Sequence, residues 1–190
     1  MLDIPALRKD TLHTVMLQQL YSLNYMWMRF EFFIRTKAPQ EFGTEEYYQL
    51  YEDYGLHEAG RLAKALGFPR EGIKDLIRFL EHSHWAVFEN IEIAELATNS
   101  FTMRTLDCSA QKAAKKWGME YYDCGTGALR VRSGFFRGLN PRAKVQRILT
   151  PGEARPECTP ANVSCEWLIA LEYDTSYHAH EVIRQSSEVI

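Results

Sequence analysis

No stretch of this 190-residue chain is both apolar and long enough to span a bilayer. The greasiest one, "YMWMRFEFFI", is short and interrupted by Arg29 and Glu31, so a membrane-spanning reading fails. Basic excess is also missing. Net charge is −3, and no Lys/Arg run alternates with aromatics, which removes the electrostatic basis for holding nucleic acid or an anionic membrane. The opening "MLDIPALRKD" has no basic segment followed by an apolar one, so no secretory signal is expected and the cytoplasm is the expected compartment. There the four cysteines are read as thiols or ligands rather than disulfides. Low-complexity tracts and internal repeats are absent.

A complete nucleotide motif is missing too. "CGTGALR" offers Gly125-x-Gly127, but Arg130 stands where a dinucleotide fingerprint needs its third glycine. No Gly-Lys-Ser/Thr follows either.

What is present suits one α+β domain over residues 1–190, with a helical part (1–83), an α+β part (84–175) and a tail (176–190). Leu12, Val15, Met16, Gln19, Leu20, Leu23, Trp27, Phe30 and Ile34 recur at helical steps after Asp10, a candidate cap, and predict a first helix with one inward apolar face. A second helix is expected from Thr44 to Gly67, turning Tyr47, Leu50, Tyr51, Tyr54, Leu62 and Leu66 inward and bending at Gly55 or Gly60. A third should run from Pro69 to His82.

"WAVFENIEIAEL" and "FTMRTLDC" read as a hairpin, "SAQKAAKKWG" as a short helix, and "MEYYD" as a strand-like approach. A helix over 126–137, a strand over "AKVQRIL" and a Pro-rich loop follow. The last strand alternates strictly from Val163 to Tyr173 and turns Cys165 and Trp167 to the core. The expected fold is therefore a helical N-terminal half packed on an antiparallel sheet, in the order β-β-α-(β)-α-β-β.

The chemistry-bearing residues are the thiols. Cys108 and Cys124 each directly precede a helix, where free N–H groups and the dipole favour thiolate. Such a thiolate is a nucleophile at neutral pH, so both are candidate catalytic residues. The same helix ends suit a substrate carboxylate. His82 and His84 would share a face of an extended chain as ligands or a base, and His178 and His180 repeat that spacing. Trp27, Arg29 and His84 are candidate ligand-binding residues; the polar heads around Trp27, Glu31 among them, would line a pocket with the rings.

"LDCSAQKAAKKWGMEYYDC", "GLNPRAKVQRIL", "VSCEWLIAL" and "YMWMRFEFF" together resemble uncharacterised bacterial and archaeal relatives of the L-2-amino-thiazoline-4-carboxylic acid hydrolase family. The resemblance covers most of the chain. It implies a hydrolase for a small carboxylated C–N compound, with Cys108, Cys124 and Cys165 matching the recurring cysteines and Trp27 the recurring aromatic. More distantly, the C-terminal part is similar to the vinyl-reductase-type small-molecule-binding domain. That similarity implies a sensor-like module with a structural zinc on Cys124, Cys158, Cys165 and a carboxylate, Glu153 or Glu157. The loop before Cys158 is longer than in that domain, and the Cys158–Cys165 spacing is one shorter. A third reading is a structural subunit whose aromatic face packs on a partner, as in a homodimer.

Overall fold

The computed structural model describes residues 9–172. Helix α1 spans Lys9–Lys37, α2 Glu45–Leu66, α3 Ile73–Leu80 and α4 His84–Phe88. Strands β1 (Glu89–Ala94) and β2 (Ser100–Cys108) precede helices α5 (Ser109–Lys116) and α6 (Gly125–Leu139), and strands β3 (Ala143–Leu149) and β4 (Cys165–Leu171) close the fold. The four strands form one antiparallel sheet in the order β1-β2-β4-β3. This is an α+β fold with a helical N-terminal half. No described helix is long and apolar enough to cross a membrane.

Local chemistry sets the ends of α2. The Thr44 hydroxyl accepts from the Tyr47 N–H at 3.2 Å, and Glu45 and Glu46 sit in the positive first turn. Gly67 adopts a φ of +63° at the other end, a conformation that costs glycine nothing, and its N–H caps Ala63.

Packing inside the molecule centres on the crossing of α2 with α6. Two glycines let these helices meet backbone to backbone. A Cβ on Gly55 would fall 2.7 Å from the Phe135 nitrogen and closer still to the Val131 carbonyl, and a Cβ on Gly134 would strike the Glu52 carbonyl. The small side of α2 (Gly55, Ala59) therefore faces α6, and Leu50 and Tyr54 stand 60% and 44% exposed. This corrects the expected inward set at Leu50 and Tyr54, while Tyr51, Leu62 and Leu66 do pack against the core, and α2 continues through Gly55 and Gly60 without a break. Beside the crossing, Glu52 receives Arg130 at 3.0 Å and also pairs with Arg137. Burial alone would raise the Glu52 carboxyl's pKa, but the two guanidiniums outweigh it and hold it low. On its other side α6 lays Phe135, Phe136 and Leu139 on the sheet, against Phe101, Trp167 and Ile169.

Four further expectations are corrected. The apolar stripe of α1 points outward, with Leu23, Trp27 and Phe30 at 56%, 49% and 65% exposure. The helix docks instead through Met28, which meets Ala114 and Tyr122, and through Asn24 and Arg35 hydrogen bonds to Ser109 and the Asp123 carbonyl. Residues 84–88 are helical rather than strand, which drops Trp85 edge-on against Phe135 at 5.1 Å. "MEYYD" forms no strand, because the Gln111 side chain satisfies both the N–H and the carbonyl of Tyr122. Finally, α3 starts at Ile73, where the Asp75 carboxylate takes the Glu71 and Gly72 N–H groups, four residues after Pro69.

The last strand keeps its alternation, with Cys165, Trp167, Ile169 and Leu171 buried toward the helices. Glu166 on the other face is buried as well, held by Arg104 at 2.6 Å and by the Thr159 hydroxyl from the Pro-rich loop. Residues 176–190, including His178 and His180, lie outside the described residues.

Gly134→Ala forces α2 and α6 apart and should destabilise the protein by about 2 kcal/mol or more, the cost of overpacking a tight contact. Thermal unfolding followed by circular dichroism should show a midpoint lower by roughly 4–8 °C, and an unchanged midpoint contradicts the backbone contact.

Candidate functional site

A cavity of about 380 Å³ lies between α1 and the body. Trp27 and Glu31 of α1 form one wall, with Tyr51 and Tyr54 of α2 beside them. His84 and Trp85 of α4 and Arg132 of α6 line the depth, together with Cys108, Cys124 and Cys165. Most of the surface is aliphatic or aromatic, with few polar groups, the usual make-up of a small-molecule site.

The sheet and two helix starts bring three thiols to this one space. Cys108 ends β2 and caps α5, Cys124 caps α6, and Cys165 opens β4 two residues from Trp167, whose indole N–H donates to its sulfur at 3.2 Å. The expectation that helix starts would make them thiolates is overturned. Burial, followed by the Glu89 charge, pushes the Cys108 thiol up to about 12, even though the Gln111 and Ala110 N–H groups pull it down. Cys124 is raised further, by burial and by the other two sulfurs, against the opposing pull of Arg132. Cys165 is raised by burial despite Arg132. All three are neutral thiols at physiological pH.

Cys158 is exposed on the Pro-rich loop and does not line the cavity, so the expected zinc set of Cys124, Cys158 and Cys165 is not assembled. Glu153 binds Thr150 and Arg147 instead, and Glu157 is exposed. Among the described residues no group of three or more His, Cys, Asp or Glu side chains is arranged to hold a metal ion.

Fixed charges of both signs line the cavity. Arg132 is 3% exposed, sandwiched between the rings of Trp85 (5.0 Å) and Trp167 (4.7 Å). It pairs with Glu89 at 3.3 Å, and its Nε has no hydrogen-bond partner. Glu31 is 6% exposed, and its Oε2 also has no partner. Tyr47 and Tyr122 face this carboxylate, and Tyr47 shares a 2.9 Å hydrogen bond with Tyr51. Burial first, with Glu31 adding to it, raises all three phenols so that they remain hydroxyl donors. Trp27 stands edge-on to Tyr51 at 5.8 Å and near Tyr54 at 6.5 Å, so rings flank the acid. Arg35, one turn further along α1, is turned onto the rings of Phe42 and Tyr122.

His84 lines the cavity from the start of α4, held by both oxygens of Glu58, which take its N–H at 2.7 Å and meet its Nδ1 at 2.6 Å. It does not share a face with His82, whose Nδ1 contacts the Arg78 carbonyl on the surface. Arg29, expected in the pocket, lies outside it and stacks over Trp117 at 5.4 Å. Sequence reasoning missed Arg132, Glu89 and Glu58. Arg132 had a readable signal: it shares a helical face with Ala128, Phe135 and Phe136, where a charge is out of place unless it is used.

Residues 23–171 match a family described as a family of unknown function (DUF6125). No curated protein and no solved structure matches the chain.

Alkylation with iodoacetamide at mildly alkaline pH, mapped by mass spectrometry, should label Cys158 first and leave the three cavity thiols largely unmodified. Labelling of Cys108 as fast as Cys158 contradicts its burial. Folding raises the Cys108 thiol from 9.0 to about 12, so the unfolded chain loses that proton first. Its contribution to stability is whole below the lower value and is lost as pH climbs through that window.

Proposed function

The chain belongs to that family of unknown function, and we propose that it binds a small cyclic C–N compound, of thiazoline or cyclic amidine type, in its protonated form. One observation carries the reading: a buried carboxylate, Glu31, with an unpartnered oxygen, among aromatic rings at the wall of an otherwise apolar cavity. An amidinium placed there donates to the free oxygen and stacks on or beside Trp27 and Tyr51, combining a charge-assisted hydrogen bond with cation–π attraction. The phenols, held neutral, do not compete as anions. The partnerless Nε of Arg132 suits the carboxylate of such a compound. The resemblance to the aminothiazoline-carboxylate hydrolase family points to the same chemistry, since a protonated aminothiazoline carries an amidinium-like cation and a carboxylate on one ring. Four unpaired cysteines support a cytoplasmic setting.

Hydrolysis is the second reading, and His84 favours it. Its imidazole, oriented by Glu58, shares the cavity with three thiols, which supplies a base and nucleophiles in one space. With the thiols neutral at rest, proton removal would have to accompany attack on the C–N carbon.

Titration calorimetry with 2-amino-2-thiazoline-4-carboxylate should show Glu31→Gln binding about 10- to 100-fold more weakly than the wild-type chain, the worth of one charged hydrogen bond. Equal affinities for the two proteins contradict the proposal. For the second reading, Cys108→Ser or Cys124→Ser should abolish turnover of that compound while binding persists; full activity in both variants ends it.

A further inference from the structure

The outward stripe of α1 is left largely uncovered by the rest of the fold, although Leu23, Met26 and Trp27 also border the cavity. Met16, Leu23, Met26, Trp27, Phe30 and Phe33 are 49–65% exposed on one helix of 29 residues, about 43 Å long. Their spacing is informative. Residues 16, 23 and 30 recur every seven, as do 26 and 33, the spacing of a helix that packs along another helix. A patch of this size on a monomer marks an interaction surface.

We propose that α1 pairs with α1 of a second copy of this chain, antiparallel, about a two-fold axis near residues 24 and 25. Two features of the stripe select a second copy. First, it is self-complementary under that operation: Met16 meets Phe33 of the other copy, and Leu23 meets Met26, so one patch supplies both halves of an isologous contact. Second, the area is sufficient. At 49–65% exposure the six side chains present on the order of 600 Å² per chain, so two copies can bury up to roughly 1,200 Å², the size at which specific interfaces begin.

Charge and dipole select the antiparallel arrangement. Exposed Arg29 and Lys37 lie toward the C-terminal end of α1, so parallel pairing would stack them on their own copies and antiparallel pairing separates them. Opposed helix dipoles add to the preference. Leu23, Met26 and Trp27 belong both to the stripe and to the cavity wall, so the second copy also covers the side of the cavity that α1 leaves open. The pairing itself does not depend on which ligand the cavity takes.

Sedimentation equilibrium of the full chain, without ligand and over a wide concentration range, tests the pairing. The wild type should sediment at twice the chain mass. Phe30→Glu with Phe33→Glu, and separately Met16→Glu, should each weaken association at least tenfold, while circular dichroism shows the helix content unchanged. These positions are solvent-facing in the monomer, so folding survives the changes. A monomer at every concentration overturns the proposal, as does a dimer that persists unchanged in both variants. A wild-type monomer that floats with phosphatidylcholine vesicles also overturns it and assigns the stripe to a lipid surface.

Discussion

The contact on which the structure depends is the glycine crossing of α2 and α6. Side chains usually keep helix axes 8–10 Å apart, and Gly55 and Gly134 remove them where the two backbones meet. The closeness has two consequences. It presses Phe135 and Phe136 into the sheet, and it fixes the rotation of α6, so that Arg132 points to the cavity side between Trp85 and Trp167. It also sets α2, whose Tyr51 and Tyr54 then form the wall facing α1. Glu52, clasped by Arg130 and Arg137, locks the same crossing from its polar side.

Within the cavity two physical effects compete at the sulfurs, and burial wins. A helix N-terminus offers about half a unit charge and contributes at most about 2 kcal/mol, while taking a thiolate out of water costs several. Cys108 feels both effects, and its pKa rises. The thiols therefore act first as a soft, neutral lining. The lasting charges are Glu31, Glu89 and Arg132, each fixed by its own packing, and two of them retain unsatisfied atoms. Buried polar atoms without partners are rare because they are costly, so a ligand that completes both is the economical explanation.

Much of this was legible in the sequence. The caps at Thr44 and Gly67, the second strand running into Cys108, and the alternation from Cys165 to Leu171 follow from local chemistry that tertiary packing does not oppose. That Cys108, Cys124 and Cys165 line one cavity was not legible, because local patterning puts each thiol on its own element without saying which element ends meet. The face of α1 was not, since an amphipathic pattern shows that a stripe needs cover without saying whether this chain provides it. The face of α2 was legible only in part: Tyr51, Leu62 and Leu66 pack on the core as expected, but the close glycine contact with α6 leaves Leu50 and Tyr54 exposed. The helical turn at His84 was hidden because "WAVF" suits a strand equally well, and only the pocket for Trp85 decides. Charge partners such as Glu58 with His84 stand 26 residues apart and leave no local trace.

The central claim is that Glu31 receives a cationic C–N group inside this cavity. A crystal structure of the protein soaked with 2-amino-2-thiazoline-4-carboxylate tests it most directly. The account predicts an amidinium nitrogen within hydrogen-bond distance of Glu31 Oε2, with the ring against Trp27 or Tyr51. A compound bound with its cationic group away from Glu31, or an empty cavity at saturating concentration, would contradict it.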